Sequence, residues 1–312
     1  MRVSRVFLLG VAAVMLVGAC SAGPTPAPSA PASQAAAAPA VKVGSDGFYE
    51  SKLMAEIYAQ AREAKGYAVD RTGMGLGTRK VTAAALESGQ IDLKPEYVGS
   101  GLAYYDPAKT TGDPAANAAA LAAILAGKGG GIAVLDYSPA ADQNAFVVTK
   151  ATADKYHLAS LSDVAAVQSK LKFGVATDCS SNPVCAAALM SAYGIDVSAA
   201  LPLSACDQPM VDALAAGTIA VGELCSTQPD IAQNGWVVLA DDKRTQPADN
   251  IAPLVRDDYL GKVDKAAFEA VLDAVSAKMT TGALTKLNAE YTFDKKDIPV
   301  IAKEWLTAAG LA

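Results

Sequence analysis

The sequence predicts an α/β protein built from two lobes of similar plan. Short apolar strands alternate with amphipathic helices between residues 41 and 97, and the same alternation returns after residue 172. Two segments, AAALESGQIDLKPEY and VDALAAGTIAVGELC, share the order helix, glycine, strand. Such alternation is typical of largely parallel sheets that are covered by helices, and a cleft between two lobes commonly holds a small ligand.

The elements of the first lobe begin with an alternating apolar strand. The helix that follows carries Leu53, Ile57 and Ala61 on one face. A glycine marks the end of this helix and of the next one along the chain. The predicted elements are strand 41–44, helix 49–65, strand 67–69, a glycine-rich turn over 73–77, helix 78–88 and strand 91–93.

The second lobe repeats this rhythm, and three helices end the chain. Gly194 and Gly217 stop two helices of the repeat. The predicted elements are strand 172–177, helix 183–193, strand 201–203, helix 208–216, strand 219–224 and the helices 265–280, 282–291 and 297–309.

The N-terminus has the features of a bacterial export signal with a lipid-attachment site. Arg2 and Arg5 precede an apolar run over 6–17 that is too short to span a bilayer comfortably. Small residues lead directly to the cysteine of Val17-Gly18-Ala19-Cys20, which is the pattern of a lipobox. We therefore expect lipid on Cys20; an ordinary signal cut near Ala19 is the alternative. The protein would then be extracytoplasmic and held at the cell membrane only through this lipid.

The segment after Cys20 is rich in alanine, proline, serine and glycine, which is typical of a disordered tether. The folded part should begin near residue 41. The predicted division is a signal peptide over 1–20, a tether over 21–40, lobe I over 41–138 plus 228–312, and lobe II over 139–227.

Composition excludes several classes of function. The chain has a net charge of -6 and no long basic run, so we expect no nucleic-acid partner. His157 is the only histidine, and the sequence contains neither a G-x-S-x-G elbow nor a phosphate-binding P-loop. We therefore predict that the protein is not an enzyme and needs neither a metal nor a cofactor.

Four cysteines follow the signal, and an even number in an oxidising compartment indicates two disulfides. Three pairings are possible. We favour Cys179 with Cys185 and Cys206 with Cys225, because each pair closes a short local loop. A zinc site is the weaker alternative, since the spacings are not those of a zinc ribbon.

Candidate ligand-binding residues lie where predicted strands end. The loop that leads to Gly77 and Thr78 could present backbone N–H groups to an anion, or could be a tight turn in which Thr78 caps the next helix. Phe48, Tyr49 and Tyr97 follow predicted strands, at the edge where α/β sheets bind ligands. Aromatic faces beside a carboxylate attract a quaternary ammonium ion. The alternative is that these rings pack against helices.

Several segments together resemble the substrate-binding proteins of glycine betaine/choline/proline-type (osmoprotectant) ABC transporters. The resemblance covers the chain from about Val41 to Leu311. The segments that carry it are Gly47-Phe48-Tyr49-Glu50-Ser51, Gly75-Leu76-Gly77-Thr78-Arg79, Gly89-Gln90-Ile91-Asp92-Leu93-Lys94-Pro95-Glu96-Tyr97-Val98-Gly99, Ser138-Pro139-Ala140-Ala141-Asp142-Gln143-Asn144-Ala145-Phe146 with Leu161-Ser162-Asp163, and Leu272-Asp273-Ala274-Val275-Ser276 with Leu284, Leu287 and Asn288.

The resemblance implies a two-lobe periplasmic-binding-protein fold of type II-like plan, crossed twice by the chain, with the ligand cleft between the lobes. It implies a monomer that captures a small molecule and delivers it to an ABC permease and ATPase. The residues expected to bind the ligand are Phe48, Tyr49, Glu50, Gly77, Thr78 and Tyr97 in the first lobe and Asp142 and Asn144 in the second.

One departure from the family concerns Ala145, which stands where many relatives carry an aromatic residue that would close a cage. Three other functions remain open from the sequence: a binder of a different small polar or aromatic molecule, an enzyme on the same scaffold, and a ligand sensor without transport.

Overall fold

The computed structural model describes residues 38–312, which form one compact unit. The signal peptide, Cys20 and the tether up to residue 37 lie outside the described residues, so their assignments stay predictions. Among residues 38–312, no helix is both long enough and apolar enough to cross a membrane.

Helices make up most of the regular structure. Their bounds are α1 Tyr49–Glu63, α2 Arg79–Ser88, α3 Val98–Tyr105, α4 Pro114–Leu125, α5 Lys150–Tyr156, α6 Leu161–Val167, α7 Ala186–Tyr193, α8 Gln208–Ala215, α9 Asp230–Gln233, α10 Asp257–Leu260, α11 Lys265–Lys278, α12 Thr281–Thr292 and α13 Ile298–Ala309. Short 3-10 turns cover Pro107–Lys109 and Gln168–Lys170.

The strands form two sheets, each with its own helices. Their bounds are β1 Val41–Gly44, β2 Val69–Gly73, β3 Leu93–Tyr97, β4 Ile132–Val134, β5 Asn144–Val148, β6 Phe173–Ala176, β7 Leu201–Leu203, β8 Val221–Cys225, β9 Val237–Val238 and β10 Ile251–Arg256. The strand order is β2-β1-β3-β10-β4 in the first sheet and β7-β6-β8-β5-β9 in the second.

Each sheet carries apolar clusters that anchor its helices. In the first sheet, Val43 and Leu93 pack with Phe268 of α11 and Ile301 of α13. A separate cluster joins α2, α3 and α4 to Leu254 of β10. The second sheet is packed in the same way against α6 and α7 by one cluster and against α8 by another. The two sheets therefore form two separately packed lobes.

The prediction of largely parallel sheets is wrong, because both sheets are mixed. The strands β1, β2 and β3 are parallel, but β10 is antiparallel to both β3 and β4. In the second sheet, β5 is antiparallel to β8. The antiparallel strands are those that enter a sheet after the chain has crossed from the other lobe, so they are not part of a continuous strand–helix–strand run.

The two crossing segments run side by side between the lobes. Ala141 forms a bridge with Asn250, and the N–H of Asp142 donates to the carbonyl of Asp249 at 3.0 Å. Since β9 pairs with β5, the chain is still in the second sheet at Val238, beyond the predicted end of lobe II at residue 227. We therefore propose that the return to lobe I lies between residues 239 and 250.

Candidate functional site

The carboxylate of Glu50, in the first turn of α1, is the centre of a buried polar cluster between the lobes. It is only 2% exposed. Its Oε1 accepts the hydroxyl of Tyr97 at 2.8 Å, and its Oε2 accepts the hydroxyl of Thr227 at 2.5 Å and the amide Nδ2 of Asn288 at 2.6 Å. Thr227 follows β8 of the second sheet, whereas Glu50, Tyr97 and Asn288 belong to the first lobe. The cluster therefore joins the two lobes.

A second buried carboxylate, Asp142, comes from the first crossing segment. Its Oδ1 accepts the backbone N–H of Thr227 at 3.1 Å. Burial and the neighbouring charge of Glu50 raise the pKa of Asp142 well above its ordinary value. Two carboxyl groups that share a buried space cannot both ionise easily, so the raised pKa favours the protonated form of Asp142.

Aromatic rings lie beside these carboxyl groups. The rings of Phe48 and Tyr97 have centroids 5.7 Å apart and are tilted by 37°. Tyr49 stacks on Tyr291 of α12, with centroids 5.0 Å apart. Phe48 and Tyr49 are partly exposed, but Tyr97 is buried in the apolar core of the first lobe. Tyr97 therefore combines a packing role with contact to the cluster.

The other predicted site residues are placed less centrally. Gly77 adopts a φ of +132° and its carbonyl accepts the N–H of Gly47 at 2.7 Å, which holds the glycine-rich loop against the end of β1. Thr78 is exposed and occupies the N-cap position of α2 without a side-chain capping bond. Asn144 begins β5 and donates to Gln246 at 3.3 Å. Within the described residues, none of these three has a hydrogen bond to Glu50 or Asp142.

Ala145 lies on β5, where it is 6% exposed and packs in the core of the second lobe. A backbone position of this kind points its side chain into the lobe, so the aromatic wall would have to come from other residues.

A network of buried charges supports the first lobe beneath the glycine-rich loop. Lys94, fully buried on β3, donates to Asp46 at 3.1 Å and to Glu96 at 3.0 Å. Arg79 donates to the other oxygen of Glu96 at 3.0 Å. Although burial opposes it, the charges of Arg79 and Lys94 lower the pKa of Glu96 to about 2. The cationic groups of this lobe wall are thus already paired.

The second lobe contains both disulfides in the predicted pairing, Cys179–Cys185 and Cys206–Cys225. Glu223 on β8 is 1% exposed and lies 3.4 Å from the sulfur of Cys185. The two sulfur atoms and a carboxylate oxygen of Glu223 lie within 4.8 Å of one another, but the sulfurs are joined and cannot act as thiolate ligands.

Two cavities in the described residues lie away from the Glu50 cluster. A groove of about 1000 Å³ lies between α1 and α13, and a cavity of about 510 Å³ lies beside Cys179 and α7. Neither is bordered by Glu50, Tyr97 or Asp142. These two cavities are therefore separate from the Glu50 cluster.

Comparison with known proteins identifies the family. Residues 39–308 match the substrate-binding domain of the ABC-type glycine betaine transport system. The chain belongs to this family. It is similar to the glycine betaine-binding protein YehZ of Escherichia coli K12, with 26% identity over 283 residues, covering 88% of this chain and 92% of that protein.

Solved structures share the fold of this substrate-binding protein. A crystal structure described as a glycine betaine/carnitine/choline ABC transporter superposes with a TM-score of 0.71 at 23% identity, covering 87% of this chain and 99% of that one. The lactococcal OpuAC in its closed conformation with glycine betaine gives a TM-score of 0.60 at 16% identity, covering 86% and 96%.

The predicted two-lobe binding-protein fold and the predicted family are confirmed. The family and its relatives are transport proteins, not enzymes, and substrate-binding proteins of ABC importers work outside the cytoplasm. Membership also implies a small-molecule ligand and transporter partners.

The sequence reading missed four residues that surround the predicted site: Thr227, Gln228, Asn288 and Tyr291. Two of them carried a usable signal. Thr227 comes three residues after the predicted strand 219–224, near the edge where the other candidates were sought. Asn288 occupies the apolar face of α12 with Leu284 and Leu287, and a polar residue at such a position indicates a specific buried partner.

Proposed function

We propose that this protein is a lipid-anchored component of an ABC importer, attached through Cys20. It captures a compatible solute such as glycine betaine or choline between its lobes and delivers it, as a monomer, to the permease and its ATPase. The family match supports the transport role, and the names of the relatives support the solute class.

The lobe junction carries this proposal. It combines partly exposed aromatic rings, Phe48 and Tyr49, with two carboxyl groups, Glu50 and Asp142, in a region from which water is largely excluded. Aromatic faces attract a quaternary ammonium ion, and the attraction reaches about 2 kcal/mol when the cation is desolvated. Both lobes contribute to the cluster, so a ligand held there would favour lobe closure.

Calorimetric titration of the purified protein against glycine betaine, choline, carnitine and proline tests the proposal, with melting curves alongside. A ligand that binds only the folded state raises the melting temperature as its concentration rises above its Kd. We expect saturable binding of at least one quaternary amine. The absence of binding by all four solutes to folded protein would contradict the proposed ligand class.

Anchoring through Cys20 is tested separately. We predict that Cys20→Ala releases the protein from membranes into the soluble fraction, because the thiol that accepts the lipid is lost. Detergent-free fractionation of cells measures this. A variant that stays membrane-bound at the level of the unchanged protein would contradict the anchor.

A further inference from the structure

The carboxyl groups of the polar cluster at the lobe junction have no cationic partner among residues 38–312. Glu50 is held by three neutral donors, from Tyr97, Thr227 and Asn288. Among residues 38–312, neither Glu50 nor Asp142 forms an ion pair with a lysine, arginine or histidine. A buried carboxylate is normally paired with a cation or coordinates a metal, so this charge is uncompensated.

One amide oxygen of this cluster, and a second one on the residue that follows Thr227, accept no hydrogen bond within the described residues. The Oδ1 of Asn288 and the Oε1 of Gln228 are buried and accept no hydrogen bond in the described part of the chain. Asn288 is fully buried and its Nδ2 contacts Glu50, while Gln228 is 4% exposed and directly follows Thr227. A buried polar group without a hydrogen-bond partner is destabilising and rare in folded proteins, so a partner is expected.

The ionisable groups that interact with Asp142 in the described residues include Glu50 and Tyr49 on α1 and Tyr97 on β3, and these three are acidic. Two cations of the first lobe, Lys94 and Arg79, are already paired with Asp46 and Glu96. A ligand carboxylate would therefore meet carboxylates and amide oxygens at this junction, whereas a cation would meet its complement.

We infer that the ligand of this site carries a net positive charge together with an O–H or N–H donor, so that choline is preferred over zwitterionic glycine betaine. This inference rests on the proposed function and names the ligand class for the same site. The cation would lie against Phe48 and the carboxyl groups. The O–H or N–H group of the ligand would donate a hydrogen bond to one of the two amide oxygens that have no partner in the described residues.

Cation binding should displace a proton. Burial and the neighbouring carboxylate of Glu50 raise the pKa of Asp142 well above its ordinary value, which favours its protonated form. A bound cation stabilises the second negative charge, so Asp142 transfers its proton to solvent as the cation enters. The charge of the site then changes by one negative unit while the ligand brings one positive unit, and the complex has the same net charge as the empty site.

The experiment is calorimetric titration of the protein with choline and with glycine betaine, between about pH 5.5 and about pH 8, in two buffers that differ in ionisation enthalpy. We expect choline to bind at least about ten-fold more tightly, to release a proton and to bind more tightly as the pH rises, by up to about ten-fold per pH unit. Glycine betaine binding should depend less on pH.

Two variants locate the proton. Asp142→Asn and Glu50→Gln should each abolish proton release and the pH dependence of choline binding, because each removes one of the coupled carboxyl groups. Melting curves confirm that each variant is folded. If only one of the two variants folds, that variant alone is sufficient for the test. The matched control is Asp294→Asn, an exposed side chain without a hydrogen bond or ion pair in the described residues, which should behave as the unchanged protein.

Glycine betaine binding as tight as choline binding, without proton release, would overturn the inference and leave the proposed function standing. Unchanged pH dependence in both folded variants would also overturn it. If neither solute nor any other of the panel binds, the proposed function fails, which is a different result.

Discussion

Tyr97 has a packing position in the first lobe and also contacts the proposed ligand site. Its ring is 3% exposed and lies beside Phe48, and its hydroxyl donates to Glu50. If the ring forms one wall of a cation site, Tyr97→Ala should weaken the binding of a quaternary amine by roughly thirty-fold, which corresponds to about 2 kcal/mol. Tyr97→Phe should weaken it much less, because the ring face is kept. Calorimetric titration measures both.

Melting curves separate this effect from simple loss of packing. Truncation of a buried aromatic ring costs about 3–5 kcal/mol of folding stability, so Tyr97→Ala should also melt earlier. A variant that melts earlier but binds the ligand with unchanged affinity in its folded fraction would show that Tyr97 only packs.

The buried carboxyl group of Glu223 should make the folding stability depend on pH. Burial raises its pKa from an ordinary value of 4.5 to about 7. The folded protein therefore binds this proton more tightly than the unfolded chain, and stability falls as the pH rises from about 4.5 through about 7. In Glu223→Gln this loss should disappear, so the variant should gain stability relative to the unchanged protein above about pH 7. Urea unfolding at several pH values measures the difference.

The control for Glu223 is Glu304→Gln on α13, whose carboxylate is 56% exposed. It should keep the pH dependence of the unchanged protein. Parallel pH profiles for the unchanged protein and Glu223→Gln would mean that this carboxyl group is not responsible.

At the scale of elements, the two disulfides differ in the loops that they close. Cys179–Cys185 spans 6 residues before α7, and Cys206–Cys225 spans 19 and ties the start of α8 to β8. In the chain-entropy model, the shorter loop contributes about 2 kcal/mol and the longer about 3 kcal/mol. We predict that replacing Cys206 and Cys225 by alanine destabilises the protein more than replacing the other pair, as measured by urea unfolding.

An equal or reversed order of the two alanine pairs would contradict this prediction. Replacing Cys179 and Cys185 by alanine also removes the sulfur beside Glu223. Both double variants are therefore best compared near pH 5, because Glu223 is protonated in the folded state at this pH.

The sequence located most helices because their apolar periodicity and terminal glycines are local signals. It failed at β3, which was predicted over residues 91–93 but runs from Leu93 to Tyr97. The strand contains Lys94 and Glu96. They can be buried because the ammonium group of Lys94 pairs with the carboxylates of both Glu96 and Asp46. A polar stretch of this kind resembles a loop until its long-range partners are known. Tyr97 consequently ends the strand instead of following it.

The candidate site was predictable only in part, for a related reason. Glu50 and Asp142 could be proposed because the segments that contain them, residues 47–51 and 138–146, resemble the family. Their partners Thr227 and Asn288 are separated from Glu50 by 177 and 238 residues. No local pattern brings such residues together, and the contact depends on how the lobes meet.

At the scale of the whole molecule, the crossing segments connect the lobes, and side-chain hydrogen bonds also join the lobes across the junction. Glu50 and Thr227 form such a contact across the junction at 2.5 Å. The adjacent N–H of Thr227 binds Asp142 of the first crossing segment. If the ligand binds at this cluster as proposed, ligand capture and lobe closure share the same groups, and a change at Thr227 should alter both.

Thr227→Val keeps the size of the side chain but removes the hydroxyl that donates to Glu50. A hydrogen bond to a charged group contributes about 1.5–3 kcal/mol, and a buried carboxylate that loses a donor bears the desolvation cost. We therefore expect the lobes of the ligand-free variant to open, with a larger radius of gyration in small-angle X-ray scattering, and the ligand to bind at least about ten-fold more weakly.

Thr227→Ser keeps the hydroxyl and is the matched control, which should scatter and bind like the unchanged protein. An unchanged radius of gyration and affinity in Thr227→Val would show that the contact with Glu50 does not hold the lobes together, and that closure depends on the crossing segments alone.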